Sequence, residues 1–343
     1  MNGALLVDKP SGPTSHDVVA FVRRTLKTTR VGHTGTLDPL ATGLLVLLVG
    51  HATRLAQFLV IDEKEYVAHV RLGLATPTYD AQGLELRGAR REARGAEIEA
   101  GVAGREAGGT EIEAGVARRE VESEAGGGRR EVRVTQEQIR SVLPDFLGTF
   151  PQLPPPFSAK KVGGVKSYEK ARKNEPLELK PVEVTVRELE LLSPASPLAP
   201  PDPTLLRLRV VCSAGFYVRS LAHDIGKVLG CGAHLEALRR TRAGLFLVDD
   251  AATQDVLDAR GVAAADRLVP LRALLADMPA VSLTEEGLRR AGHGNALAPH
   301  HLAGPVPSPG VKGPRCMLDA AGGVLGIAEA RADGLLHPLV VLR

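Results

Sequence analysis

Apolar residues before residue 80 recur with the periods of a mixed α/β protein. Three runs have strand length and carry continuous or alternating apolar positions: Ala4 to Asp8, Leu44 to Val49 and Glu65 to Leu72. Thr14 or Ser15 can cap a helix that follows the first run, because apolar residues recur at helical spacing from Val18 to Leu26. A second, short helix is expected between Leu55 and Leu59.

Similar elements return after residue 133. Thr135 and Gln138 have the spacing of a capping box, which predicts a helix that ends near Pro144. Strands are expected at residues 182–186 and 205–211, and a helix from about Arg219. The Pro-rich residues 194–203 are interpreted as a loop, since proline removes a ladder donor. Together these elements predict an α/β (α+β) chain with a mixed sheet and flanking helices.

The composition changes near residue 277. A short helix capped by Thr284 is followed by short apolar runs, separated by Gly and Pro, that end at Leu339 to Leu342. This pattern predicts two domains, 1–276 and 277–343, of which the second is small and rich in strands.

Residues 85–133 differ from the rest of the chain. They hold no aromatic residue but 10 Gly, 10 Arg and 11 Glu, and the heptapeptide Glu97 to Ala103 returns as Glu111 to Ala117. Such a segment cannot bury a core, so it is interpreted as a low-complexity, disordered insertion. A partner-binding arm is the alternative interpretation.

Overall composition excludes several classes of protein. The formal net charge of the 343 residues is only +3, so nucleic-acid binding through bulk charge is not indicated. Three cysteines without a Cys-x-x-Cys pair argue against a disulfide scaffold or a structural zinc site and predict a reducing, cytoplasmic location. No apolar run reaches the length of a membrane span, and the start of the chain lacks the pattern of a signal peptide.

Two local clusters are basic despite the low net charge. Residues 18–37 contain four cations and no acid, and residues 158–173 contain six cations, Lys160 and Lys161 among them, against Glu169 alone. Charge runs are often simply solvated, but two acid-poor clusters in a nearly neutral chain favour a polyanion held at selected phosphates. Arg239, Arg240 and Arg242 are candidates to extend this basic surface.

The stretch from Val31 to Gly43 is the strongest candidate for chemistry. Its glycines, its hydroxyl residues and Pro39 predict a stiff, turn-rich loop that holds Asp38. Such a loop can present a carboxylate to a ligand, although a structural turn with an Asx cap fits the spacing as well. A phosphate-binding P-loop is disfavoured, because the Gly-Lys-Ser/Thr ending is absent.

Aromatic residues are scarce, at 3% of the chain. Tyr66 lies in a predicted strand and Tyr217 lies just before a predicted helix; core packing is the ordinary role of such residues. The histidines show no metal-ligand spacing.

Residues 32–43, GHTGTLDPLATG, closely resemble the motif that holds the catalytic aspartate in the bacterial tRNA pseudouridine-55 synthases, the TruB family. Six further stretches resemble that family in the same order. They are Leu6 to Pro10, Lys64 to Tyr66, Phe157 to Lys161, Gly215 to Leu221, Gly230 to Leu235 and Leu238 to Arg240. The resemblance covers about residues 1–80 and 132–275; beyond 277 the chain resembles the family's small β-barrel PUA domain.

The resemblance implies a pseudouridine synthase fold, with a largely antiparallel mixed sheet, and isomerisation of uridine 55 in the tRNA T-loop without a cofactor or metal. It implies Asp38, Tyr66 and Arg219 as catalytic residues. Asp38 attacks the ribose or the base, or stabilises charge at the sugar; the sequence leaves these open. The implied substrate-binding residues are His33, which enters the T-loop beside the flipped base, with Tyr217, Leu238, Lys9 and Asp80 around the pocket. Lys160 and Lys161 are expected to contact the tRNA backbone.

Two other functions remain open from the residues alone. A noncatalytic RNA-binding or chaperone protein would use the basic clusters without Asp38. A ribonuclease is less favoured, because no histidine pair or metal-spaced carboxylate cluster is present.

The expected partner is the T-arm of tRNA, with no membrane and no protein partner, and the expected state is a monomer.

Overall fold

The computed structural model describes residues 1–59, 63–83, 134–157, 179–193, 202–304 and 313–342, together with the backbone of residues 161–162 and 165–166. The insertion expected at 85–133, the Pro-rich residues 194–201 and Lys160 lie outside the described residues.

Strands dominate the described chain. In order they are β1 (Gly3–Lys9), β2 (Val31–His33), β3 (Thr42–Val49), β4 (Glu63–Leu72), β5 (Gly148–Gln152), β6 (Lys161–Val162), β7 (Val165–Lys166), β8 (Val182–Leu191), β9 (Leu205–Ser213), β10 (Ala233–Ala243), β11 (Phe246–Leu247), β12 (Ala252–Thr253), β13 (Val269–Pro270), β14 (Ala280–Ser282), β15 (Pro314–Leu318), β16 (Val324–Ala330) and β17 (Leu336–Val341). The α-helices are α1 (Ser15–Thr25), α2 (Gln136–Val142), α3 (Val218–Val228), α4 (Gln254–Arg260), α5 (Leu271–Leu274) and α6 (Glu285–Gly292).

An eleven-stranded sheet forms the larger part of the molecule. Its main path runs β12-β1-β3-β10-β4-β9-β8-β5, with β2, β11 and β13 paired at its sides. Only two of the described pairs in this sheet are parallel, β1 with β12 and β3 with β10, so the sheet is mixed and largely antiparallel. This architecture confirms the expected fold class.

The sheet buries apolar residues on both faces at its centre. In β1 and β3 the odd-numbered apolar residues join one core, and the even-numbered ones join another. This two-sided burial explains why both strands appear in the sequence as continuous apolar runs. Helices α1 and α3 pack their apolar stripes against the larger core.

Local sequence signals set the helix starts. Thr14 caps α1 in a capping box with Asp17, and Thr135 does the same for α2 with Gln138. Thr284 caps α6 as expected. The helix expected at Leu55 to Leu59 is instead a 3₁₀ turn at Gly50–Leu55.

A second sheet follows residue 279, with strand order β14-β15-β16-β17. In the described residues its end strands β14 and β17 do not pair with each other, so the closed PUA-like barrel remains a prediction, as does the domain boundary at 277. Leu55 and Leu275 share an apolar cluster with Cys316, Ile327 and Val340, which joins the second sheet to the first.

In the part of the chain that the structure covers, no helix has the length and apolar character needed to cross a membrane.

Candidate active site

Asp38 lies in the turn-rich loop between β2 and β3, and this loop is fastened on both sides of the aspartate. Before it, the Ser15 hydroxyl accepts the Leu37 amide at 2.8 Å and donates to the Leu37 carbonyl at 3.0 Å. After it, the Ala41 amide donates to the Asp38 carbonyl at 3.0 Å. Because Leu37 and Ala41 are buried while the Asp38 side chain is 35% exposed, the loop presents the carboxylate from a fixed base.

Lys9 supports the same loop from inside the protein. Its ammonium donates to the carbonyls of Pro10 at 2.8 Å, Pro39 at 3.2 Å and Ala41 at 2.7 Å. Burial lowers the pKa of Lys9 to about 8, and the nearby Asp38 charge opposes part of this drop. The three carbonyls engage the buried Lys9 ammonium, so Lys9 supports the loop; its assignment as a substrate-binding residue stays a prediction.

Arg219 neutralises Asp38 in a two-point ion pair. The Arg219 Nε lies 2.9 Å from Asp38 Oδ2, and its Nη2 lies 3.2 Å from Asp38 Oδ1. The Nη1 of the same guanidinium is 3.4 Å from Asp80 Oδ2. One buried arginine therefore lies between two carboxylates, a geometry that suits the planar fork of its donors.

The remaining Arg219 contacts are backbone carbonyls. Its Nη1 donates to the carbonyls of Thr78 at 3.3 Å and Phe157 at 3.0 Å. Gln152 fastens the residue at the start of α3, because its side-chain amide exchanges two hydrogen bonds with the Tyr217 backbone, at 2.8 and 3.1 Å. The chain at 152–157 and the start of α3 thus form one connected wall.

A cleft of about 490 Å³ opens above Asp38, a size typical of ligand pockets. Tyr66 on β4 lies opposite Arg240 on β10, and both line the cleft. Arg240 donates from Nε to the Leu44 carbonyl at 2.6 Å and from Nη2 to the Gly35 carbonyl at 3.2 Å. The cleft wall includes Leu37, Asp38, Lys64, Tyr66, Phe216, Tyr217, Val218, Arg219, Leu238 and Arg240.

Burial changes the titration of two groups at the site. It raises the pKa of the Tyr66 phenol, so this hydroxyl stays protonated at neutral pH. It also raises the pKa of Asp80, while the Thr78 hydroxyl at 2.6 Å and the Arg219 charge oppose the rise.

The structure brings five of the predicted site residues to the cleft wall and places three others elsewhere. The five are Asp38, Tyr66, Tyr217, Arg219 and Leu238. Lys9 and Asp80 lie behind the wall, where both are almost fully buried. His33 lies outside the wall with its ring edge-on to His16 at 5.5 Å, and burial lowers the His33 pKa. Lys160 lies outside the described residues, as does the side chain of Lys161.

The expectation that Arg239, Arg240 and Arg242 extend a basic surface is wrong. Arg240 is buried at the cleft, Arg239 is paired with Asp8 at 2.9 Å, and Arg242 is paired with Glu63 at 2.7 Å. These arginines meet carbonyls and carboxylates because β10 lies inside the sheet.

Sequence reasoning missed the structural roles of Ser15 and Gln152. A signal existed for Ser15: only one of two adjacent hydroxyl residues can cap α1, and Thr14 does so, which leaves the Ser15 hydroxyl for the loop.

Comparison with known proteins places this chain in a family. Residues 23–104 and 109–218 match the model of the TruB family pseudouridylate synthase N-terminal domain, and residues 219–281 match the tRNA pseudouridylate synthase B C-terminal domain. The chain belongs to the TruB family. It is therefore a pseudouridine synthase, an isomerase that modifies RNA, and the cleft around Asp38 is its candidate active site.

Full-length TruB relatives support this membership. The chain is 40% identical to tRNA pseudouridine synthase B of Solibacter usitatus, with all of both chains covered. It is also 40% identical to tRNA pseudouridine synthase B of Thermobifida fusca, covering 99% of this chain and 98% of the relative.

Solved structures support the fold. A chain of the archaeal box H/ACA sRNP Nop10-Cbf5 complex superimposes with a TM-score of 0.63 at 22% identity, covering 99% of this TruB chain and 85% of that one. A chain of a Cbf5-Nop10-Gar1 complex gives 0.63 at 23% identity, with the same coverage. These likenesses confirm the pseudouridine synthase fold.

Proposed function

We propose that this protein isomerises uridine 55 in the T-loop of tRNA to pseudouridine. The relatives that match along the whole chain are named tRNA pseudouridine synthase B, which supports tRNA as the substrate. The observation that carries the proposal is the Asp38–Arg219 ion pair at the base of the cleft, since it holds a partly exposed carboxylate beside an aromatic wall.

The reaction breaks the N1–C1′ bond of uridine and forms a C5–C1′ bond. A proton leaves C5 and a proton is gained at N1, so atoms and electrons balance without an oxidant or a reductant. Asp38 is suited to this exchange, because an ionised carboxylate can act as a nucleophile or can stabilise positive charge at the ribose. Arg219 orients the carboxylate through two contacts and places its positive charge beside it.

Tyr66 supplies the aromatic surface of the cleft. Its ring is suited to stack on the uracil while the base is free of the sugar, and its protonated hydroxyl is suited to relay a proton. Tyr217 and Leu238 complete the wall and limit how far the base can travel.

A uridine stacked in an RNA loop reaches this cleft only when it is flipped out. Flipping costs a few kcal/mol, so a residue that enters the vacated space lowers the barrier to extrusion. His33 is the candidate for this role, because it is the last residue of β2, five residues before Asp38, and lies outside the cleft wall.

The basic residues 158–173 are proposed to grip the tRNA backbone. They follow Phe157 directly, and Arg219 holds the Phe157 carbonyl at 3.0 Å. Lys160 and Lys161 are therefore three and four residues along the sequence from a residue that contacts the catalytic arginine. The cytoplasmic location and the monomeric state remain predictions from the sequence.

Replacing Asp38 with asparagine tests the proposal. We expect Asp38→Asn to abolish pseudouridine formation on an unmodified T-arm stem-loop, because the amide keeps the shape but loses the negative charge. The affinity for tRNA should stay within about threefold of the unaltered enzyme, since phosphate contacts carry most of the binding. Mass-shift mapping after pseudouridine-specific labelling measures the product.

Asp249→Asn is the matched control, because Asp249 is an exposed aspartate outside the cleft wall. It should modify the T-loop at the normal rate. A fully modified T-loop produced by Asp38→Asn would refute the assignment. Normal RNA affinity without any product from the unaltered chain would instead support the noncatalytic RNA-binding alternative.

A further inference from the structure

The turn from Thr76 to Gly83 contains a strained residue. Tyr79 has a φ of +63°, in the left-handed region that non-glycine residues rarely adopt. This conformation costs roughly 1–2 kcal/mol, and a bulky aromatic residue persists there only where its surroundings hold it. Such strain is concentrated at functional sites, which makes the neighbours of Tyr79 informative.

The Tyr79 ring is stacked on an imidazole of α3. Its centroid lies 3.9 Å from that of His223, and the two ring planes are 12° apart. His223 is four residues after Arg219 on the same helix, so the two side chains leave α3 one turn apart on the same face. The stack therefore joins the turn to the helix that carries Arg219.

The residues on either side of Tyr79 contact Arg219 directly. Thr78 offers its carbonyl at 3.3 Å, and Asp80 offers its carboxylate at 3.4 Å. The Tyr79 carbonyl accepts the Leu235 amide at 2.9 Å, which fixes the turn to β10. Two of the acceptor groups around the guanidinium thus come from a turn whose position depends on Tyr79.

We propose that Tyr79 and His223 form a positioning pair, which sets the place of Arg219 and through it the orientation of the Asp38 carboxylate. The inference rests on the proposed function of Asp38 and Arg219. Neither ring lines the cleft, so the pair acts on the reaction through Arg219 rather than by touching the base. The stacking contact offsets the backbone strain at Tyr79. The strained turn then directs Thr78 and Asp80 toward the guanidinium.

Four variants distinguish the effect of the stacked rings from the effects of the backbone conformation and of the polar groups on the two side chains. Tyr79→Asn removes the ring but keeps a residue type that tolerates positive φ. His223→Ala removes the other ring. Tyr79→Phe and His223→Phe keep stacking surfaces and remove the hydroxyl and the imidazole. Val228→Ala, an exposed change on the same helix, is the control.

We expect single-turnover pseudouridine formation to fall about 10- to 100-fold in Tyr79→Asn and His223→Ala, the range produced by a small displacement of a catalytic group. The dissociation constant for the T-arm RNA should change less than about twofold, because phosphate contacts are untouched. The two phenylalanine variants should recover most of the rate, and Val228→Ala should match the unaltered enzyme.

The pH profile gives a readout that lost stability alone would not move. Burial raises the pKa of Asp80 and the Asp38 charge adds to the rise, whereas the Thr78 hydroxyl, the Arg219 charge and the Gln82 amide lower it. Once Arg219 is displaced, the pKa of Asp80 rises, so the acid limb of the Tyr79→Asn profile should begin at a higher pH. An unchanged acid limb would overturn the positioning role.

Other results would also overturn the inference. One is a normal single-turnover rate in both Tyr79→Asn and His223→Ala. Another is a rate in the phenylalanine variants as low as that of the variants that lack a ring. A third is a loss of RNA affinity as large as the loss of rate. If Tyr79→Asn does not fold, His223→Ala carries the test, because the turn keeps its own sequence. Asp38→Asn is measured alongside: activity in that variant overturns the proposed function, whereas its inactivity with normal Tyr79→Asn turnover overturns only the positioning pair.

Discussion

Lys9 shows how one buried charge supports the aspartate loop. The ammonium has three N–H donors, and they are received by the Pro39 and Ala41 carbonyls of the Asp38 loop and by the Pro10 carbonyl. A neutral amine keeps two donors, so one buried carbonyl would lose its partner on deprotonation. Because burial lowers the pKa of Lys9 to about 8, this hydrogen bond is lost at a pH that ordinary assays cover.

We predict that turnover falls as pH rises through about 8, since Lys9 is charged below that pH and neutral above it. Steady-state rates measured from about pH 6 to about pH 10 give the basic limb. Lys9→Arg is the informative variant, because arginine does not titrate in this range. A basic limb at the same pH in Lys9→Arg would show that another group, or the RNA itself, produces it.

Individual site residues were predictable where a motif carried them. Asp38, Tyr66 and Arg219 came from short stretches of distinctive sequence, and the structure brings them to one cleft. Arg240 and Gln152 could not be assigned in this way, because their roles depend on partners that are 196 and 65 residues distant in the chain. Long-range contacts of this kind leave no local pattern.

At the scale of elements, the parallel contact between β3 and β10 depends on Gly43. Gly43 has a φ of +98°, and a Cβ at this position would lie 2.2 Å from the Arg240 carbonyl oxygen. Only glycine allows the two backbones to approach this closely at the end of the Asp38 loop. The junction thereby sets the distance between the aspartate loop and the Tyr66–Arg240 wall.

Gly43→Ala should destabilise the protein by about 3 kcal/mol or more, because the backbone strain and the steric clash add. Gly230→Ala provides the comparison: Gly230 also has a positive φ, of +69°, but a Cβ added there would have nothing within 4 Å. That variant should lose only about 1 kcal/mol. Denaturant unfolding measures both, and equal losses would contradict a role for close packing at Gly43.

Strands with a clear apolar pattern were predicted, and β10 was not. β10 lies in the middle of the sheet but shifts register between Leu235 and Ala237 and again between Arg240 and Arg242. Each shift interrupts the alternation that identifies a strand. Its arginines also resemble an exposed basic run, whereas sheet neighbours supply their acceptors.

Across the whole molecule, charge is distributed in two different ways. Several arginines on the sheet are paired with acids: Arg71 binds Glu236 and Asp202, and Arg209 binds Glu65 at 2.8 Å. Arg24 and Lys27, at the end of α1, are exposed and form no ion pair with any residue that the structure describes. Although the net charge of the chain is small, these two cations are therefore available to a polyanion.

This distribution predicts which cations hold tRNA. The double variant Arg24→Ala, Lys27→Ala should weaken binding and reduce the slope of log affinity against log salt by about one for each phosphate that the variant no longer binds. Arg71→Ala should leave the slope unchanged, because its guanidinium is already neutralised by two acids. Filter binding over a series of salt concentrations measures the slopes, and the same series with Lys160 and Lys161 replaced by alanine examines the second basic stretch. An unaltered slope in the Arg24, Lys27 variant would place the RNA elsewhere on the surface.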